Sequence, residues 1–198
     1  AGVHSGDSAC SLPAYTLSEA IQHRLREQIR RMALELNVIG LMNTQFAIKD
    51  DEIMLGAAAN PFAEPMGLRL IRLGKKVAAG AEFIQTQAVF DVERFRRWMS
   101  GVRDLGLHRR AKILAGVLPV RSARALVYMK NEVAGMAIPD AVIRRFEGAA
   151  EPQEEGVRLA CDLIGELREI EGVSGVHLMP VMWERITPRI VEESGLAG

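Results

Sequence analysis

The chain has 198 residues, 48% of them hydrophobic, with 25 basic and 25 acidic side chains and a formal net charge of +0. That length accommodates one good core or a small domain beside a larger one, and the balanced charge excludes recruitment of nucleic acid or an anionic membrane by bulk attraction. Cys10 and Cys161 stand far apart without metal-ligand spacing, which implies reduced thiols in a cytoplasmic protein rather than a disulfide framework. No apolar run approaches the roughly 20 residues of a membrane span. The opening Ala1-Gly2-Val3-His4 lacks a signal-peptide pattern, and the missing initiator Met suggests a start inside a longer reading frame.

Thr16-Leu17-Ser18-Glu19 has the spacing of a capping box, which predicts a helix after it. Ile21, Leu25, Ile29, Met32 and Leu36 recur at three- and four-residue steps while Arg24, Glu27, Arg30 and Arg31 fill the other side, predicting one packed stripe and one solvated face. Met42 to Lys49 alternates loosely, and Lys49-Asp50-Asp51-Glu52 can turn it back into Ile53 to Leu55 as a hairpin. A helix and a hairpin are too little for an independent core.

From Met54 onward, apolar strands alternate with helices. Strands are expected at Met54–Ala59, Phe83–Gln87, Ile113–Val117 and Val176–Val181, with helices near 65–79, 92–105, 123–130, 140–146, 152–170 and 183–193. Repeated strand-helix units imply a parallel sheet with helices outside it, and four such units are half of an eight-unit barrel. Pro152 with Glu154 and Glu155 suits a helix start. Gly106, Gly148, Gly172 and Gly195 are expected as left-handed helix caps. A half barrel should leave two long parallel edges and an exposed apolar face, and so self-associate or take a complementing half.

Two family resemblances divide the chain. Ala1-Gly2-Val3-His4-Ser5-Gly6-Asp7-Ser8-Ala9-Cys10-Ser11-Leu12-Pro13, with Gly40-Leu41-Met42-Asn43-Thr44-Gln45-Phe46-Ala47, resembles the ATP-grasp region of the carbamoyl phosphate synthetase large subunit. In that family the His-Ser-Gly-Asp loop lies by the nucleotide, and the Gln matching Gln45 helps hold a metal-phosphate group. The next strand should bring a Glu-x-Asn-Pro set of metal ligands, whereas this chain reads Gly56-Ala57-Ala58-Ala59-Asn60-Pro61 without a carboxylate. Magnesium needs hard oxygen ligands, so ATP-dependent synthesis is not expected here, and no metal ligands are assigned.

Gly56-Ala57-Ala58-Ala59-Asn60-Pro61-Phe62, Lys75 to Gln87, Leu114-Ala115-Gly116-Val117-Leu118-Pro119 and Gly172 to Met179 resemble methylenetetrahydrofolate reductase, in that family's order and spacing. The resemblance implies a flavin-containing (β/α)8 TIM barrel that passes a hydride from NAD(P)H through FAD to methylenetetrahydrofolate, yielding methyltetrahydrofolate. The expected fold class is thus α/β, the C-terminal half of a TIM barrel over 54–198 preceded by a helix-plus-hairpin ATP-grasp fragment over 1–53. Gln87 matches the Gln that hydrogen-bonds the folate ring, where an amide offers both donor and acceptor. Lys75 and Lys76 match basic residues that help bind FAD phosphates or ribose. Asn60 holds the strand-end position that meets the flavin, where other members carry an aromatic, and Arg72 matches a polar but variable cofactor position. Where some relatives place an Arg for the folate glutamate, this chain reads Val181-Met182-Trp183-Glu184. The family's acidic residues belong to the first four strand-helix units, and Glu64, Glu82 and Asp91 read as loop or helix-start carboxylates. No catalytic residue is therefore assigned, and the chain by itself is expected to be inactive. The alternatives are a carbamoyl phosphate synthetase fragment or a non-enzymatic fusion or assembly product.

Overall fold

A computed structural model describes residues 14, 16–40, 44–49 and 52–196. Helix α1 (Glu19–Glu35) is followed by β1 (Gln45–Lys49), β2 (Glu52–Ala59), α2 (Met66–Ala78), β3 (Phe83–Ala88) and α3 (Val92–Asp104). Then come β4 (Lys112–Val117), α4 (Ala123–Glu132), α5 (Asp140–Glu147), α6 (Pro152–Arg168), β5 (Val173–Leu178) and α7 (Thr187–Glu193). The strands form one sheet in chain order, with β1 antiparallel to β2 and each later pair parallel. The fold is α/β with a mixed sheet. His4, Asp7, Cys10 and the Asp50-Asp51 turn lie outside the described residues.

Strand β2 carries the change of sequence character within one element. Residues Glu52 to Gly56 pair with β1 on one edge, and Gly56 to Ala59 pair with β3 on the other. One strand has two hydrogen-bonding edges, so it completes the hairpin and begins the parallel sheet at once. This corrects the expectation of two open parallel edges: β1 covers the free side of β2, and β5 is the uncovered parallel edge.

Side-chain alternation places the core on one face of the sheet. Leu55 and Ala57, Ile84, and Ile113, Ala115 and Val117 are buried in a single cluster with helix residues. Helix α3 supplies Phe95, Trp98, Met99 and Val102 to it, each at most 1% exposed, at the three- and four-residue spacing of a buried stripe. Met32 of α1 joins the same cluster. The N-terminal helix therefore gains from the sheet a core that it could not build alone.

Several local expectations shift for identifiable reasons. The cap of α1 is Ser18, whose hydroxyl accepts from the Ile21 amide at 3.3 Å, rather than Thr16. Strand β5 begins and ends three residues before its expected limits of 176 and 181. Met179 N still donates to Val117 O at 2.8 Å, but Pro180 has no N–H with which to continue the ladder. The last helix opens as a 3-10 turn at Glu184–Ile186 before α7, which has a proline in its first turn. Gly106, Gly172 and Gly195 have φ of 66, 91 and 67°, whereas Gly148 is right-handed at −86° and is not a left-handed cap.

Pro152 does start α6, with Glu154 and Glu155 in its first turn, but Glu155 also turns inward. It accepts from Arg145 and from Arg158, the latter at 2.8 Å, and Arg145 reaches on to Asp162 at 2.8 Å. Burial would raise the Glu155 carboxyl, yet hydrogen bonds from Arg158 and Arg145 outweigh it and hold the group below its ordinary value. Hydrogen bonds from Arg189 and Lys130 lower Glu154 and Asp140 in the same sense. Such groups bind fewer protons folded than unfolded, so their contribution is complete above the ordinary carboxylate range and is lost as pH falls through the lowered values. Urea midpoints are accordingly expected to drop as pH is taken below about 4. A flat midpoint through that range would remove the contribution.

Candidate functional site

The sheet face away from the core cluster is built around glycines. A Cβ on Gly56 would lie 2.1 Å from the Phe83 ring, and one on Gly175 would lie 3.4 Å from Leu114. Toward the C-terminal ends of the strands the β3–β4 register shifts between Gln85 and Ala88. Thr86, 3% exposed, closes the irregularity: its hydroxyl accepts from Gly116 N and donates to Gln87 O, both at 2.9 Å. Val89 N donates to Gly116 O at 2.9 Å. A side-chain oxygen thus takes the place of a ladder carbonyl. Gly116 fits because a Cβ there would approach Thr86 O to 2.6 Å and Gln87 O to 2.8 Å.

This arrangement leaves Gln87 half-buried at the end of β3. Among the described residues its side-chain amide has no protein hydrogen bond. Ala59 is the register partner of Thr86, so Asn60 follows β2 beside Gln87 on β3. His177 is the partner of Gly116 on β5, and its buried Nδ1 has no hydrogen-bond partner. Burial holds its imidazole below the ordinary value, which keeps the ring neutral at pH 7.

Of the predicted basic residues, Lys76 reaches the neighbouring edge of the same end. Lys76 extends from α2 to donate to Ala58 O at 2.6 Å. Burial, then the nearby Arg72, holds its ammonium below the ordinary lysine value. Arg72, Lys75 and Lys76 share one helix face by their spacing. Lys75 and Arg72 are exposed, and none of the three has an acidic partner among the described residues. Asn60 is used locally: its Oδ1 accepts from Phe62 N at 2.9 Å, and its Nδ2 lies 2.1 Å from where a Cβ on Gly135 would stand.

Glu64, Glu82 and Asp91 each have a local structural role. Glu64 accepts from Met66 N, Glu82 accepts from Leu55 N, and Asp91 caps α3 through Arg94 N. Thr86 and His177 were not singled out by the sequence. The available signal was a polar β-branched residue at a core-facing strand position. Thr86→Val preserves shape but leaves Gly116 N buried without its acceptor, and is expected to cost about 1–3 kcal/mol. Thermal melting checks this, with Thr86→Ser as the variant that keeps the oxygen; equal melting of wild type and Thr86→Val would refute the role.

The structure defines an α/β protein whose parallel strands present polar and cationic groups at their C-terminal ends. Residues 23–195 match the methylenetetrahydrofolate reductase family, and the chain belongs to that family. The match begins inside α1 and so takes in the hairpin as well as the parallel sheet. A separate similarity is to the carbamoyl phosphate synthase large chain. That of Vibrio parahaemolyticus is 54% identical over 87 residues, covering 40% of this chain and 8% of that protein. The Buchnera aphidicola protein is 46% identical over 92 residues, covering 43% of this chain and 8% of its own length. This chain therefore spans only a small part of those curated relatives. Among solved structures, a Clostridium thermocellum protein has a similar fold, with a TM-score of 0.53 and 22% identity, covering 72% of this chain and 53% of that one. That protein is described as binding two copies of 5-methyl-5,6,7,8-tetrahydrofolic acid. No helix among the described residues is long and apolar enough to cross a membrane.

Proposed function

We propose that this chain is the C-terminal half of a (β/α)8 reductase barrel acting in the cytoplasm on 5,10-methylenetetrahydrofolate. When bound in a completed barrel, FAD supplies hydride transfer from NAD(P)H to the folate. Gln87 carries the reading: a strand-end amide with donor and acceptor both free of protein partners, in a position fixed by Thr86 and Gly116. A pterin edge offers the complementary pair. Family membership and the folate bound by the structural relative support the same substrate class.

Arg72, Lys75 and Lys76 suit the anionic end of FAD, because three cations on one helix face lack acidic compensation. Asn60 follows β2 beside Gln87, where its amide would border the flavin. These groups bind and orient; proton donation to the folate has no assigned residue in this chain. The reading therefore requires a complementing half barrel or a second copy. The division at residues 53 and 54 is proposed as a mark of ancestry, with residues 1–53 related to an ATP-grasp segment. Because β1 covers the free side of β2, closure would pair strands outside β1 or displace it, while β5 offers its edge directly.

Gel filtration of the chain after incubation with FAD is expected to leave it colourless, whereas coexpression with the first four strand-helix units of a related reductase should give a yellow, folate-reducing complex. Stoichiometric flavin on the chain alone, or a flavin-loaded complex without folate reduction, would overturn the proposal.

A further inference from the structure

The loop between β2 and α2, which carries Asn60, is braced from α3. Arg94, in the first turn of α3, sends one guanidinium nitrogen to Phe62 O at 2.6 Å and to the Glu64 carboxylate at 2.5 Å. The Arg94 backbone N–H is fixed by the Asp91 cap at 2.9 Å, and the Phe62 side chain is packed in the core at 4% exposure, so both ends of the brace are anchored. A bond from a guanidinium to a carbonyl is charge-assisted and stronger than a neutral one.

Phe62 passes this constraint to Asn60. Its carbonyl meets Arg94 while its N–H donates to Asn60 Oδ1 at 2.9 Å. A backbone N–H can only donate, so the atom it meets is the amide oxygen, and the orientation of the Asn60 side chain follows. Nδ2 is left with its N–H donors and without a protein acceptor among the described residues. It stands in the space that a Gly135 side chain would fill, so the loop between α4 and α5 holds the amide from a second side. Gln87 offers both a donor and an acceptor, whereas Asn60 offers donors alone. We propose that Arg94 is a positioning residue of the strand-end site, holding Asn60 as a donor-only group that selects a hydrogen-bond acceptor, a lone-pair nitrogen or carbonyl oxygen of the flavin ring. This rests on the flavin reading above and adds to it a residue that acts through Phe62 and Asn60 without touching the ligand.

Nuclear magnetic resonance of the full chain titrated with FAD tests the proposal, because fast-exchanging contacts register there even where gel filtration strips the ligand. The Asn60 Nδ2 protons are expected to shift together with Lys76 and the Gln87 side-chain amide. In Arg94→Met the Phe62 amide should exchange with solvent roughly 10-fold faster, and the FAD affinity should fall roughly 10-fold, the scale of one charge-assisted hydrogen bond. Arg94→Lys keeps a cationic donor and should restore most of both, while Arg97→Met, exposed on the same helix, should change neither. Asn60→Asp retains an oxygen for Phe62 N but loses the donors, so Phe62 should stay protected while FAD affinity falls. Arg94→Lys and Asn60→Asp decide the matter if Arg94→Met fails to fold. Shifts at Gln87 and Lys76 without any at Asn60, undiminished Phe62 protection in Arg94→Met, or full FAD affinity in Asn60→Asp would each overturn the proposal and leave the flavin reading standing. Absence of shifts at all three residues would overturn both.

Discussion

Gly156→Ala is expected to destabilise the protein by about 2–4 kcal/mol, lowering its melting temperature by roughly 5–15 °C for a chain of this size. The added Cβ would stand 1.8 Å from Val120 O, a backbone atom that no side-chain rotation can move. Alanine is a better helix former than glycine by about 1 kcal/mol, so helix propensity alone predicts the opposite sign. Packing prevails because α6 is buried along Gly156, Val157, Leu159, Ala160, Leu163, Ile164 and Leu167, and separating it from the β4 loop would disturb that whole stripe. Gly165→Ala provides the contrast: nothing lies within 4 Å of its added Cβ, so only the propensity gain remains. Calorimetry of the two variants decides the issue. Equal or higher stability for Gly156→Ala would mean that the close approach does not constrain the helix.

In a complemented barrel, Gln87→Ala is expected to slow folate turnover roughly 10- to 100-fold, the range for removing a partner from a buried polar ligand edge. Reduction of the flavin by NAD(P)H should stay close to wild type, because that half-reaction does not need the pterin contact. Stopped-flow measurement of the two half-reactions separates the outcomes. Equal loss in both would assign Gln87 to the architecture of the β3 end rather than to substrate. Gly116 makes that alternative concrete, since its missing side chain lets the β3 carbonyls approach β4. The Gln87 side chain makes none of those contacts, whereas its backbone oxygen, retained in alanine, accepts from Thr86.

Much of the element order was legible because helices and strands impose different spacings on apolar residues. The α3 stripe of Phe95, Trp98, Met99 and Val102 and the β4 alternation of Ile113, Ala115 and Val117 record their periods directly in the sequence. Boundaries were less legible where competing local signals lay close together, as with Thr16 and Ser18 at the start of α1. Gln87, Lys76, Arg72 and Asn60 entered as candidates only through the family resemblance. Asn60 and Gln87 come to one end of the sheet through the pairing of Ala59 with Thr86, and Lys76 joins them only by reaching Ala58 O.

The sequence by itself determined the alternation of secondary structure, the balanced charge and the two kinds of family motif, all properties of residue type and spacing along one dimension. Tertiary structure alone decided that the two kinds of sequence meet within β2 and that β1 closes the edge expected to be open. It also decided that Thr86 would replace a backbone acceptor and that Arg94 would brace the Asn60 loop through Phe62 O. These outcomes depend on which strand edges remain available and how closely backbones approach, quantities that come into existence when distant segments pack together.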